Sequence, residues 1–271
     1  MFKSFYLVMF VLAATGIAAS QGTSLTLERD AYTAATHRKD AQARAKALES
    51  FLKSYPDSEF KERTLESLLE TYQKTRSPKA WDALNQLLKT NPDNLYGLTQ
   101  KANLRCDDEP RPGMCDAEES ELADHGLRVL AATTRPEYMS ETGFAARKAQ
   151  AALAFHSLAG AVAVARHDYQ TAQQHFRIAV EFDPTNIGSV YALAITSMKI
   201  DPPDTVRGLF FLARAASLVE GSRQQQIVTY GRTEYAKYHG SEQGWAELLK
   251  LAKSSTAMPS GFVISPAREI P

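Results

Sequence analysis

The amino-acid sequence predicts an all-α protein made of antiparallel helical hairpins. Apolar residues recur three or four positions apart over most of the chain, which is the spacing of one face of a helix. Prolines follow several of these stretches directly, and a proline ends a helix because it has no N–H to donate and its ring collides with the preceding turn. The chain is 44% apolar and 23% charged, so we expect a continuous core rather than disorder.

The first 20 residues predict a secretory signal peptide. Lys3 precedes a short apolar run, and the small residues Ala18 and Ser20 fit a cleavage site before Gln21. The apolar run is shorter than the roughly 20 residues needed to cross a bilayer. We therefore expect a periplasmic or secreted protein with no transmembrane segment in the mature chain. An uncleaved signal that serves as a membrane anchor is the alternative.

Four prolines divide the next part of the chain into similar segments. Each one follows a stretch in which apolar residues recur at helical spacing, and the prolines are Pro56, Pro92, Pro136 and Pro184. Their spacing grows along the chain. We expect the extra residues to form an enlarged loop around Pro110 and Pro112 in the third segment, and one long helix from Ser140 to Ala165 in the fourth.

The two cysteines of the chain, Cys106 and Cys115, flank this enlarged loop. An exported protein meets an oxidising environment, so the pair is expected to form a disulfide. Metal binding is the competing interpretation. Two thiols without a nearby histidine fall short of the four ligands of a structural zinc site, so no metal is expected.

The segment that begins at Leu153 carries a resemblance to a known repeat. Small residues alternate with a large one at fixed places, and the matching positions are Gly160, Ala172, Phe176, Ala179 and Pro184. This segment resembles a tetratricopeptide repeat. His156 stands where the family pattern has a tryptophan, and Phe155 beside it supplies bulk. The small residues lie where two helices approach most closely, and Phe176 fills the space between them.

The resemblance implies a right-handed α-solenoid of about five to six hairpins over residues 26–256. Its last helix is expected to begin after Ser241 as N-cap, to include Trp245, and to cap the final apolar face. The tail, residues 257–271, contains three prolines and is expected to be extended or disordered.

Composition and motifs argue against several functional classes. Lys plus Arg equals Asp plus Glu at 31 each, so the chain lacks the cationic field that attracts nucleic acid. The sequence contains no phosphate-binding loop, dinucleotide fingerprint or catalytic H-E-x-x-H or G-x-S-x-G motif. Ser50 and Lys53 match S-x-x-K by chance, because the companion motifs are absent. We expect no cofactor and no catalysis.

The resemblance also implies a binding surface. In tetratricopeptide proteins the first helix of each hairpin lines a concave face, which binds a segment of a protein partner. Carried over place by place, the candidate binding residues here are Arg63, Tyr96, Thr99, Asn103 and Tyr191. The expected function is an adaptor of the bacterial cell envelope. The alternatives are a structural component of an envelope assembly held by the uncleaved signal, and an enzyme with a site between helices.

Overall fold

The computed structural model describes residues 25–107 and 117–267, with the side chains of residues 105–107 excepted. These residues form helices and no strands, which confirms the all-α prediction. The helices are α1 (25–36), α2 (Ala41–Ser54), α3 (Lys61–Lys74), α4 (Ala80–Thr90), α5 (Leu95–Asp107), α6 (Ala117–Ala132), α7 (Glu141–Ala165), α8 (Tyr169–Phe182), α9 (Ile187–Lys199), α10 (Thr205–Ser217), α11 (Gly221–His239) and α12 (Trp245–Ser254).

The described residues divide into two compact units, and the boundary falls after Gly97, inside α5. The repeat domain that the sequence predicts over residues 26–256 spans both units. In an array of hairpins each element contacts mainly its neighbours, so the local pattern of apolar residues does not mark where contacts gather into separate units.

The first unit is built on α3, which packs against α2 on one side and α4 on the other. Its core consists of leucines at helical spacing, with Leu48, Leu65, Leu69, Leu84 and Leu87 almost fully buried. Burial of a leucine side chain contributes about 1.5–3 kcal/mol, so this small set of residues accounts for the association of the three helices.

In the second unit each helix from α6 to α10 packs on the next, and α10 also contacts α11 and α12. The middle of α10 is therefore surrounded, and every residue from Gly208 to Ala216 is buried. This position explains why these residues are apolar apart from Arg214, whose guanidinium donates to the carbonyl oxygens of Ala252 and Lys253. Phe210 is fully buried and lies edge-on to Phe211.

Close approaches of glycine to aromatic rings position several helices of this unit. A Cβ on Gly160 of α7 would lie 2.8 Å from the ring of Phe176 on α8, so the two helices meet at the place that the sequence indicates. The same arrangement joins Gly231 of α11 to Trp245 of α12, where a Cβ would lie 2.5 Å from the indole ring. Any larger residue at either glycine would push the helices apart.

Helix termini follow the local sequence closely. Pro56, Pro92, Pro136 and Pro184 lie just beyond the ends of α2, α4, α6 and α8, as the sequence predicts. The predicted long helix is α7, which has 25 residues and ends at Ala165. Several of the described helices have an N-cap side chain that accepts a backbone N–H, and these caps include Asp40, Asn94, Ser140, Asp168, Asn186 and Asp204.

The predicted N-cap of the last helix is wrong. The structure places Gly244, not Ser241, at the N-cap of α12, and the helix begins at Trp245. Both Gly240 and Gly244 have positive φ, 87° and 99°, which is a conformation that glycine adopts without steric cost. The chain therefore stays in a turn through Ser241, whose side chain cannot cap a helix that starts four residues later.

The tail is predicted to be extended or disordered, and its residues 258–267 are extended. The sequence does not indicate their packing, because Ile264 is only 7% exposed and belongs to the core of the second unit. Phe262 contacts Phe210, with 6.0 Å between ring centroids. The amide of Ala267 donates to the carbonyl of Tyr238 at 2.7 Å. Prolines prevent a helix here but do not prevent packing of the apolar residues between them.

Three of the sequence-based predictions lie outside the described residues. These are the signal peptide, residues 1–20, the enlarged loop around Pro110 and Pro112, and the disulfide, because residue 115 and the side chain of Cys106 are not described. Within residues 25–107 and 117–267, no helix is long and apolar enough to span a membrane.

Candidate binding recess between α9 and α11

Two of the five predicted binding residues belong to the first unit, and both make contacts inside it. The guanidinium of Arg63 lies over the rings of Tyr32 and Phe60, 5.0 and 5.6 Å from their centroids. Tyr96 is half-buried, and its hydroxyl donates to Gln73 Oε1 at 3.2 Å. These contacts stabilise the first unit and leave each side chain only partly accessible.

The other three residues belong to the second unit and differ sharply in exposure. Thr99 is 3% exposed, so its side chain is not available to a partner. Asn103 is exposed. Tyr191, on α9, is 37% exposed and lines a recess. Of the predicted set, Tyr191 is therefore the residue that the structure places in a concave site.

The recess lies between α9 and α11 and has a volume of about 300 Å³. It combines aromatic, aliphatic and polar side chains from the two helices. The lining residues are Ile187, Tyr191, Arg223, Gln226, Ile227 and Tyr230.

Helical periodicity explains why α9 presents Tyr191. Val190, Leu193 and Ala194 are fully buried against the neighbouring helices, so the intervening Tyr191 points away from the core. The Asn186 side chain accepts the N–H of Ser189 at 2.9 Å and fixes the first turn of the helix. The tyrosine therefore projects from a capped helix whose opposite face is held by the core.

Helical periodicity also explains which residues α11 presents to the recess. Gly231 and Tyr235 are buried, and Gly231 contacts Trp245. Arg223 and Tyr230 lie almost two turns apart on a different face, which is exposed. Tyr230 is 38% exposed, close to the value for Tyr191 across the recess. Two half-exposed tyrosines therefore face a shared space from two rigid helices.

Charge in the recess comes from Arg223. It is the charged member of the lining, and no described carboxylate lies within ion-pair distance of it. Glu234, one turn beyond Tyr230, is already paired with Lys237 at 2.7 Å. Burial, followed by the nearby Glu234 and Tyr191, raises the pKa of Tyr230 above its usual value. Its hydroxyl stays protonated at neutral pH and can donate a hydrogen bond.

Sequence reasoning missed Arg223, Gln226 and Tyr230, although a signal for them exists. The concave places in the family pattern are about the second, fifth, ninth and twelfth of each first helix. Tyr191 stands at the fifth place of α9. Along α11, the lining residues Arg223, Gln226 and Tyr230 repeat this spacing of three and four residues, but they stand at the third, sixth and tenth places of a helix that begins at Gly221. The spacing therefore indicates one face of α11, whereas a count from the start of the helix does not find these residues.

A second cleft, of about 420 Å³, lies beside the tail. Phe262, Val263, Ile264 and Ser265 form part of its wall. His239 also ties the tail in place, because its Nδ1 lies 2.8 Å from the carbonyl oxygen of Ser265. The tail therefore forms one side of this cleft, and Tyr235, Leu248 and Leu251 belong to the other side.

The described residues contain no group of three or more His, Cys, Asp or Glu side chains arranged to hold a metal ion. Among the described residues, His156 and His175 bring two possible nitrogen ligands together, with their Nδ1 atoms 2.9 Å apart. Two ligands fall short of the three or four protein ligands of zinc sites.

Comparison with known proteins adds no identity to these observations. No protein-family model, no curated protein and no solved structure matches the chain.

Proposed function

We propose that this chain is a non-catalytic protein-binding module of the bacterial cell envelope, and that it binds a segment of a partner protein in the recess between α9 and α11. The observation that carries this proposal is the pair of half-exposed tyrosines, Tyr191 and Tyr230, beside Arg223, which forms no ion pair with any residue that the structure describes. Tyrosine and arginine are the residue types that contribute most at protein interfaces.

The finer architecture belongs to the same proposal. We propose a right-handed α-solenoid of the tetratricopeptide kind, with about five to six hairpins. Two contacts support parallel stacking of first helices. Ser157 of α7 and Ser189 of α9 approach to 2.9 Å between hydroxyl oxygens, and α9 and α11 share the recess. In such a stack the first helices of successive hairpins form one continuous face.

The size of the recess favours a peptide side chain over a large cofactor. At about 300 Å³ it lies at the small end of the range for small-molecule sites. A single apolar or aromatic side chain of a partner fits this volume, with the rest of the partner lying along the two helices. Export to the envelope is proposed from the N-terminal residues, which carry the features of a signal peptide.

Removal of the two tyrosines tests the proposal. The full-length protein would be used to capture partners from envelope extract, and the affinity of each purified partner would then be measured by titration calorimetry. Loss of one interface hot spot costs about 2 kcal/mol or more, so Tyr191→Ala with Tyr230→Ala should weaken binding by at least about 30-fold.

The matched control removes two exposed rings outside the recess, through Tyr138→Ala and Phe182→Ala. This variant should bind as tightly as the native protein. Circular dichroism would establish that both variants keep the helical fold. If a partner binds equally well to both variants, the recess is not its site and the proposal fails.

A further inference from the structure

We infer that the recess between α9 and α11 recognises an acidic residue next to an apolar one in the partner segment. The inference rests on the proposed function and names the chemistry of its ligand. The occupant is a segment of another protein in which Asp or Glu lies one or two residues from a large apolar side chain. Its carboxylate pairs with Arg223, and its apolar side chain enters between Tyr191 and Tyr230.

Charge complementarity supports the acidic half of this motif. Arg223 is exposed on α11 and has no ion-pair partner among the described residues, while Arg207 and Arg232 in the same unit lie near Asp204 and Glu242. A planar guanidinium presents its donors in a fork that matches a carboxylate. The other charges near Tyr230 are Glu234 and Lys237, which neutralise each other at 2.7 Å. The recess therefore carries one uncompensated positive charge.

The side chains that line the recess support the apolar half of the motif. Ile187 and Ile227 contribute aliphatic surface, and the two tyrosine rings contribute flat apolar faces with hydroxyls at their edges. Ile227 is buried at the base of the recess, so a side chain that enters it meets apolar atoms. A polar side chain there would lose hydration without gaining an equivalent number of hydrogen bonds.

The neutral groups in the recess add directionality. Gln226 carries an amide that donates and accepts, and Tyr230 carries a protonated hydroxyl. Both can bond to the backbone of an extended segment. No lining residue is negatively charged, so nothing in the wall opposes an incoming carboxylate.

Charge reversal at the arginine tests the inference. A library of random heptapeptides displayed on phage would be selected on the immobilised full-length protein and, in parallel, on the Arg223→Glu variant. We expect the native protein to enrich peptides with Asp or Glu beside an apolar residue. The Arg223→Glu variant should lose this preference and enrich Lys or Arg at the same place.

The control variant is Arg177→Glu, which makes the same change in net charge at an exposed arginine of α8 outside the recess. It should select the same acidic peptides as the native protein. The consensus peptide would then be synthesised with Glu and with Gln, and its affinity measured by fluorescence anisotropy. We expect the Gln peptide to bind the native protein at least about tenfold more weakly, as for loss of one charge-assisted hydrogen-bonded pair.

The possible outcomes separate the two proposals. Peptides that need Tyr191 and Tyr230 but carry no acidic residue, and that bind Arg223→Glu equally well, would overturn the inference and leave the proposed function standing. Acidic peptides selected equally by Arg177→Glu and Arg223→Glu would also overturn it. Selection of no consensus at all by the native protein would count against the proposed function, and the inference would fall with it.

Discussion

His156 and His175 form a contact between α7 and α8 that constrains their protonation. Their Nδ1 atoms are 2.9 Å apart, and their rings are 5.2 Å apart between centroids. One nitrogen must donate and the other must accept, so at least one of the two imidazoles is neutral. Burial and the adjacent His175 lower the pKa of His156 to about 4. Burial also lowers the pKa of His175, while Asp124 on α6 opposes that shift.

This contact predicts that the second unit loses stability in acid. A histidine in the unfolded chain titrates near pH 6.5, so between about pH 6.5 and 4 the unfolded state binds more protons than the folded state. The contribution of the pair to stability is therefore complete above pH 6.5 and is lost as the pH falls through this window. We expect a loss of about 2 kcal/mol in the free energy of unfolding, measured by urea denaturation at each pH.

The double variant His156→Gln with His175→Gln should remove most of this pH dependence, because glutamine does not titrate in this range. His167→Asn is the control, since His167 is exposed and its positive φ of 60° suits asparagine. The control should keep the pH dependence of the native protein. If the free energy of unfolding of the double variant still falls with pH as steeply as that of the native protein, groups other than these two histidines cause the pH dependence.

At the scale of elements, the tail is the segment whose role the structure changes most. Two adjacent residues in it have opposite environments, because Ile264 is 7% exposed and Val263 is 77% exposed. Ile264→Asp removes an apolar side chain from the core and places a charge there. We expect the free energy of unfolding to fall by about 3 kcal/mol, or the tail to detach and become sensitive to protease.

Val263→Asp places the same charge one residue earlier, on the exposed side. It should change stability by no more than about 0.5 kcal/mol and leave the tail resistant to cleavage. Urea denaturation and limited proteolysis followed by mass spectrometry would compare the two variants. If the two variants have the same free energy of unfolding and the same protease sensitivity, the packing of the tail described above is contradicted.

At the scale of the whole molecule, the absence of net charge matters for binding. The chain has 31 cationic and 31 anionic residues, so no long-range field guides a partner to the recess. Recognition depends on short-range contacts, which persist within about 10 Å at 0.1 M salt. We therefore expect the proposed acidic segment to be selected by Arg223 itself rather than by the surface around it.

Export of the whole chain predicts a specific covalent state. Protein recovered from the envelope should begin at Gln21, and its two cysteines, Cys106 and Cys115, should resist thiol labelling when it is unfolded without reduction. A disulfide across this short loop contributes about 2–3 kcal/mol in the chain-entropy model. Mass spectrometry of the labelled protein would check both points. Chain lacking residues 1–20 and made in the cytoplasm is the control, and both of its thiols should react.

The amino-acid sequence by itself determined the helical class, most helix ends and the long α7. These features depend on local chemistry, since Pro184 ends α8 and Asn186 caps α9 whatever lies further away. The close approach at Gly160 was also predictable, because a small residue at a fixed distance from Phe176 reflects one helical hairpin.

Only the tertiary structure decided which residues are accessible. Thr99 and Tyr191 occupy similar places in the repeat pattern, yet Thr99 is buried and Tyr191 lines the recess. Likewise, nothing local distinguishes Ile264 in the core from a disordered tail residue. The physical reason is that exposure depends on side chains far apart in sequence. The recess exists because α9 and α11 both pack on α10 and together line one space, although all of α10 lies between them in the chain.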